Sequence, residues 1–155
     1  MQLTLDTQRI EQDVSLPKCI IVDIDGTVAH KGDRNPFDWF NVGLDTPDEN
    51  TLRLIAELSY PYKIFFVSGR DEICRKQTEK WLELNYIIAF GGTYDKLYMR
   101  PQDNYDKDVS IKKAIYEAYF KDKYYVEYCF DDRDCVVAFW RELGFKVAQV
   151  NYGDF

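Results

Sequence analysis

Asp23 and Asp25 stand one residue apart in the run Asp23-Ile24-Asp25-Gly26-Thr27, directly behind the apolar stretch Cys19-Ile20-Ile21-Val22. Two carboxylates on one tight turn repel each other unless a cation sits between them or one holds a proton. A hard cation such as Mg²⁺, which prefers oxygen ligands and often binds beside a substrate phosphate, meets that need. The bland alternative is a charged turn with a glycine for backbone geometry, but a buried strand followed by a loop is the setting that makes such a pair a site. Two further polar clusters close apolar runs: Ser68-Gly69-Arg70 after Ile64–Val67, and Asp131-Asp132-Arg133 after Tyr125–Phe130. Lys112 follows Asp108 by four residues, one helical turn.

The elements that must position these residues follow from the alternation of short apolar runs with helical patterns, which predicts a parallel sheet with helices on its faces. Cys19–Val22 is too continuous for a half-exposed strand and reads as a buried one. Thr46-Pro47-Asp48-Glu49 offers a cap, a proline at the first helical position and a glutamate at N3. Leu52, Ile55, Ala56 and Leu58 supply the apolar stripe of the helix behind it. Ile64–Val67 is the second strand, followed by a helix over about 71–84 with Ile73, Cys74, Trp81 and Leu84 inward. Tyr86–Phe90 reads as a third strand and Leu97–Arg100 as a short further one. Asp108 is placed to cap a helix running to about Phe120. Tyr125–Phe130 is the next strand, and a last helix carrying Val136, Val137, Trp140 and Leu143 closes at Gly144 ahead of Phe145–Val150. The expected fold class is therefore α/β, a doubly wound, Rossmann-like parallel sheet with helices on both faces. The polar stretch Ala29–Asp45 leaves room only for a small flap or cap insert. The residues of interest fall just after strands or at helix starts, on the carboxyl edge where such sheets bind ligands.

Length and charge bound the rest. A chain of 155 residues is expected to form one domain. The balance of 20 Lys+Arg against 27 Asp+Glu, a net −7, disfavours broad coating of nucleic acid but not a basic pocket that reads one phosphate. No signal-peptide layout and no apolar run of membrane-spanning length occurs, so a cytoplasmic protein without membrane contact is expected. None of the four cysteines forms a C-x-x-C pair, and Cys19 and Cys129 lie inside strand-like runs, so free thiols in a reducing compartment are expected. With His30 as the single histidine, zinc is disfavoured.

These residues resemble the haloacid dehalogenase superfamily of phosphotransferases. Its D-x-D-x-T motif is matched by Asp23, Asp25 and Thr27, its strand-end hydroxyl by Ser68, its lysine by Lys112 and its acidic pair by Asp131 and Asp132, all in order. A receiver domain also combines acidic residues with a lysine, but there the acidic pair comes first and the lysine last, whereas Lys112 precedes Asp131-Asp132. Within the superfamily the chain is similar to the phosphatase domain of phage polynucleotide kinase-phosphatases, on His30-Lys31-Gly32-Asp33-Arg34-Asn35-Pro36-Phe37-Asp38, Ser68-Gly69-Arg70, Tyr98-Met99-Arg100, Asp108-x-x-x-Lys112, Asp131-Asp132-Arg133 and Gly153-Asp154-Phe155. The match runs from Lys18 to Phe155 and leaves residues 1–17 as an extension whose role, edge strand or partner contact, is open. No G-x-x-x-x-G-K-[ST] loop occurs, so 5′-kinase activity is not expected of this chain.

The resemblance implies a Mg²⁺-dependent phosphomonoesterase working through an aspartyl-phosphate, acting on 3′-phosphate ends of DNA or RNA, with a separate kinase or ligase as a partner. Asp23 would attack phosphorus, and Asp25 would protonate the leaving oxygen and then activate water, which requires it to hold a proton part of the time. Asp23, the backbone oxygen of Asp25, Asp132 and, at one remove or through water, Asp131 would hold the metal. Thr27, Ser68 with Gly69, and Lys112 would surround the non-bridging oxygens. Arg34 and Arg70 carry the planar fork suited to bidentate phosphate contact. Asp108 either caps its helix or orients Lys112. His30 reads as a surface residue, and Phe37, Trp39 and Phe40 read as packing for the flap, with stacking of a terminal base as the other reading. Neither insert can hold a large cap, and an open site suits a polymer end better than an enclosed metabolite. A small-molecule phosphatase or nucleotidase is the alternative, and an inactive end-binding protein a third reading.

Overall fold

The computed structural model describes residues 9–155; residues 1–8 of the expected extension lie outside the described residues. The elements in chain order are β1 (Lys18–Val22), β2 (Ala29–His30), β3 (Thr46–Pro47), α1 (Glu49–Leu58), β4 (Lys63–Asp71), α2 (Arg75–Leu82), β5 (Lys96–Arg100), α3 (Asp108–Tyr119), β6 (Tyr125–Asp131), α4 (Asp134–Glu142) and β7 (Val147–Gln149). Five strands form a parallel sheet in the order β5-β4-β1-β6-β7. Strand order thus runs outward from β1 in both directions, and β1 lies at the switch point where such sheets open a crevice.

Two apolar layers cover the sheet, as a doubly wound fold requires. Ile20, Val22, Ile64 and Phe66 face Leu52 and Ile55 of α1 and Trp81 and Leu82 of α2. Cys19, Ile21, Phe65 and Val67 face Ile111 and Ile115 of α3 and Val136 and Trp140 of α4. Burial on both faces explains why β1 and β4 read as continuous apolar runs. The four cysteines are unpaired; Cys19, Cys74 and Cys129 are buried and Cys135 is exposed. Among the described residues no helix is long and apolar enough to cross a membrane.

Several local expectations are corrected. Tyr86–Phe90 is not a strand: α2 runs on into a π-helical turn over Glu83–Ile88, and the sheet position beside β4 belongs to β5. A short apolar run cannot by itself separate strand from helix, and here only Tyr86 is buried, its ring edge-on to Phe66 at 5.4 Å. β4 extends through Ser68–Asp71 before the chain turns, so α2 starts at Arg75, and Ile73 and Leu84 are about half exposed rather than inward. The cap of α1 is Asp48 and not Thr46, because Thr46–Pro47 pairs antiparallel with Ala29–His30. Asp108 is the first residue of α3 rather than its cap. Residues 9–17 contain no strand: Ile10 N donates to Leu143 O (3.0 Å), and the Gln12 amide donates to Val126 O (2.9 Å) and accepts from Val126 N (2.7 Å).

The β2–β3 ladder closes the flap at its base, with Ala29 opposite Pro47 and His30 opposite Thr46. Asp48 ties that base to α1 by accepting from Thr51 N (3.2 Å) and from His30 Nε2 (2.9 Å). Partial burial alone would raise its pKa, but the bonds from His30 and Thr51 outweigh that and hold the carboxyl below its ordinary value. Asp48→Ala is expected to lower the unfolding free energy in urea by about 1–2 kcal/mol at pH 7. A carboxyl depressed in the folded state stabilises only while it is ionised, so the difference should shrink as the pH falls below about 4. A gap that persists undiminished at pH 3 would rule out the charge as its source.

Candidate active site

Strand register brings the reactive residues to one level. Val22 lies opposite Phe66 on one side and Phe130 on the other, so β1, β4 and β6 release Asp23, Val67-Ser68 and Asp131 at the same edge. Asp23 N still donates to Phe130 O (2.9 Å), continuing the ladder one step beyond the strand. The turn that follows reverses sharply at Gly26, whose φ of +80° suits glycine and whose missing side chain leaves space for the Asp132 carboxylate.

Asp23, Asp131 and Asp132 are buried, and carboxylate oxygens of the three lie within 4.8 Å of one another. Lys112 Nζ, also buried, donates to Asp23 Oδ1 (2.8 Å) and Asp131 Oδ2 (2.9 Å). Thr27 Oγ1 donates to Asp23 Oδ2 (3.0 Å), so both oxygens of Asp23 are held. The second oxygen of Asp131 accepts from Asp132 N (3.0 Å) and Arg133 N (3.3 Å). Burial and then the neighbouring Asp131 push Asp23 well above its ordinary pKa, and the same two causes push Asp132 up to about 6. Burial would lower Lys112, but Asp131, Asp23 and Asp108 overcome it and keep the ammonium charged. Fully ionised, three carboxylates and one ammonium leave two negative charges uncompensated. This all-oxygen donor set with a charge deficit of two fits a hard divalent cation such as Mg²⁺. Asp131 is committed to Lys112 and to backbone donors, whereas the Asp132 carboxylate faces Asp23 and Gly26. The Asp25 side chain lies outside the cluster, so its backbone oxygen is what it could offer a metal.

Asp25 turns instead to Arg70, whose Nε donates to both carboxylate oxygens (3.1 and 3.0 Å) and whose Nη2 donates to Oδ1 (2.8 Å). The Arg70 guanidinium is wholly buried and also donates to Asp45 Oδ2 (2.8 Å) and Thr78 Oγ1 (3.1 Å). Arg34 grips Asp45 bidentately through Nε (2.7 Å) and Nη2 (2.9 Å). Both arginine forks are therefore engaged by carboxylates. Asp45, buried at the end of the flap with its carbonyl accepting from Trp81 Nε1 (2.8 Å), is the residue that sequence reasoning missed. Its only sequence signal is the demand of two arginines for a counter-charge.

Asp108 stands 3.6 Å from Lys112, 3.8 Å from Arg100 and 3.9 Å from Arg133, with Oδ1 buried against Gly69 and accepting no hydrogen bond. A cleft of about 740 Å³ opens over this edge and is lined by Asp23, Asp25, Arg34, Gly69, Arg70, Asp108, Asp131 and Asp132, among others. Thr27, Ser68 and Lys112 are buried and do not line it; Ser68 Oγ accepts from Arg70 N (3.1 Å). His30 is at the cleft but committed to Asp48.

The model of the polynucleotide kinase PNKP phosphatase domain matches residues 17–155. A protein of Autographa californica nuclear polyhedrosis virus, provisionally described as a bifunctional polynucleotide kinase/RNA ligase, is 37% identical over 132 residues, which cover 82% of this chain and 18% of the viral protein. A chain in the structure of the Pnkp1/Rnl/Hen1 RNA repair complex superposes with a TM-score of 0.85 at 35% identity, over 97% of this chain and 48% of that one. A haloacid dehalogenase family enzyme of Bacteroides thetaiotaomicron, solved as a magnesium complex, shares the fold at a TM-score of 0.51 and 14% identity, over 89% of this chain and 95% of its own. The chain thus spans less than a fifth of the viral relative and about half of the repair-complex chain.

The carboxylate–lysine cluster should behave as one coupled unit. Lys112→Met is expected to cost about 3–5 kcal/mol in chemical denaturation, because it strands buried carboxylates. Adding Asp131→Asn to that variant should recover part of the loss, and strictly additive single and double changes would show the groups to be uncoupled.

Proposed function

The chain belongs to the polynucleotide kinase PNKP phosphatase domain family, with the haloacid dehalogenase fold, and from that premise we propose that it removes 3′-phosphates from polynucleotide ends through a phosphorylated Asp23, with Mg²⁺ as its metal. The observation that carries the reading is the contrast between the two aspartates of one turn. The Asp23 side chain is 7% exposed, whereas Asp25 is 44% exposed to the cleft. The first is immobilised as a nucleophile should be, and the second is accessible to a leaving group and to water.

In the proposed reaction an Asp23 carboxylate oxygen forms a bond to phosphorus. The bond from phosphorus to the 3′-oxygen breaks, and that oxygen takes a proton from Asp25. Water then bonds to phosphorus while Asp25 removes its proton, the Asp23–phosphorus bond breaks, and inorganic phosphate leaves with the carboxylate restored. Lys112 and Thr27 hold Asp23 in line, and Arg70 orients Asp25. Asp23, Asp132 and the Asp25 backbone oxygen would hold Mg²⁺, with Asp131 supporting. When bound, the cation would offset the charge of phosphate and carboxylates together. Gly69 lets Asp108 approach the cleft wall, where Asp108 spaces Lys112 from Arg100 and Arg133. Arg34 and Arg70 act through Asp45 and Asp25, a supporting role in place of direct phosphate contact.

Two features support a polymer end as substrate. The insert between β1 and α1 is a flap closed by a two-residue ladder, too small to enclose a substrate. The relatives are described by polynucleotide kinase, RNA ligase and RNA repair, so kinase and ligase activities are proposed to work alongside this one.

Phosphate release from a 3′-phosphorylated oligonucleotide tests the reading, run beside the 5′-phosphorylated strand and a 3′-mononucleotide. Turnover should favour the 3′-end and fall at least about a thousandfold in Asp23→Asn. Equal or better turnover of the mononucleotide would favour a nucleotidase instead. EDTA should arrest turnover and Mg²⁺ restore it, with Asp132→Asn raising the half-saturating Mg²⁺ concentration at least about tenfold. Undiminished activity in EDTA would remove the metal from the mechanism.

A further inference from the structure

The packing expected of the flap aromatics applies to Trp39, which sits against the core and meets Phe37 edge-on at 6.2 Å. It does not apply to Phe37, whose side chain is 79% exposed and lines the cleft. On the same cleft, Tyr152 is fully exposed and Phe155 is 69% exposed. Neither segment is loosely placed. Phe37 N donates to Asn35 Oδ1 (2.9 Å), and Arg34 reaches the Asp38 carbonyl (3.3 Å). Around Tyr152, Asn151 Nδ2 donates to Gly26 O (2.7 Å), Asp134 N donates to Gly153 O (2.7 Å), and Arg133 Nε donates to Phe155 O (2.9 Å) while its guanidinium lies 5.1 Å from the Phe155 ring centre. A side chain at Gly153 would strike the backbone of Asp132 and Arg133, so the 151–155 segment lies directly on the acidic loop. Two anchored segments from distant parts of the chain thus present largely exposed rings to one cleft, and the edge of Trp39 against Phe37 and the Arg133 guanidinium against Phe155 leave most of their surface open.

We propose that Phe37, Tyr152 and Phe155 form a stacking subsite for the nucleobase of the phosphate-bearing nucleotide; this rests on the polynucleotide phosphatase reading above. The volume of about 740 Å³ exceeds what a phosphate requires, and the cleft is continuous with Asp23 and Asp25. Lys31, Arg100 and Arg133 line it as well, giving positive charge to a polyanion on a chain whose net charge is −7. Stacking on exposed rings accepts any base, because every base has a π-face, so the subsite grips an end without reading its sequence.

The test compares kcat/KM for a 3′-phosphorylated oligonucleotide with that for the same strand lacking its terminal base. The natural protein should favour the base-bearing end by roughly ten- to a hundredfold. Phe37→Ala and Tyr152→Ala should each bring that ratio towards one, and Tyr152→Trp should keep it. Thermal melts accompany each variant, although full exposure of Tyr152 makes misfolding no rival explanation for its loss. A ratio near one in the natural protein, a ratio that survives both alanine variants, or one kept as well by Tyr152→Leu as by Tyr152→Trp would overturn the subsite. Better turnover of a 3′-mononucleotide than of either strand, with the same loss in Tyr152→Ala, would sink the polymer-end reading and still support the subsite.

Discussion

Lys112 carries a charged ammonium at 1% exposure, and the carboxyl edge of the sheet is arranged around that fact. Taking such a group out of water costs several kcal/mol, which only short bonds to opposite charge can offset. Two bonds of 2.8 and 2.9 Å to Asp23 and Asp131 do so, with Asp108 at 3.6 Å beyond them. Apolar residues in place of the whole cluster, lysine and carboxylates together, would often serve stability as well, so stability does not account for the arrangement. Orientation does: the lysine arises from α3, reaches across to the end of β1, and leaves Asp23 with one geometry.

A second charged cluster lies beside the first and shares its turn. Asp25 and Asp45 divide the buried Arg70 between them, and Arg34 completes Asp45. The first cluster has an excess of carboxylates and the second pairs two carboxylates with two guanidiniums. Asp23 and Asp25 therefore face different electrostatic settings although one residue separates them. Ile24, fully buried between them, locks the turn that keeps the two clusters apart.

Much of this was legible in the sequence. The continuous apolar runs at β1 and β4 identified strands buried on both faces, and the polar clusters behind β1, β4 and β6 identified the sheet edge, because both signals are local. The doubly wound topology followed from alternation. What escaped was non-local or ambiguous in kind. Asp45 looks like any polar residue of a flap until Arg34 and Arg70 converge on it from elsewhere in the chain. Thr27 and Ser68 read as hydroxyl donors at strand ends, but their partners, Asp23 for the Thr27 hydroxyl and the Arg70 amide donating to Ser68 Oγ, come from the fold and not from any local pattern. Tyr86–Phe90 has strand composition, but only the topology reveals that β5 holds the place it would fill. The start of α1 shifted by two residues because the flap ladder uses Thr46-Pro47, a pairing that no capping pattern announces.

The parallel arrangement also dictates when during its own formation the chain becomes competent. Lys112 reaches Asp23 across 89 residues of sequence, and β1 takes its second neighbour from β6. Neither pairing can close until the intervening α/β units have been made, and such non-local contacts form slowly. The aspartates behind β1 are synthesised well before the lysine and acidic pair that complete their setting. Until then Asp23 and Asp25 are ordinary solvated side chains, and a nascent chain released before β6 would carry the motif without its chemistry.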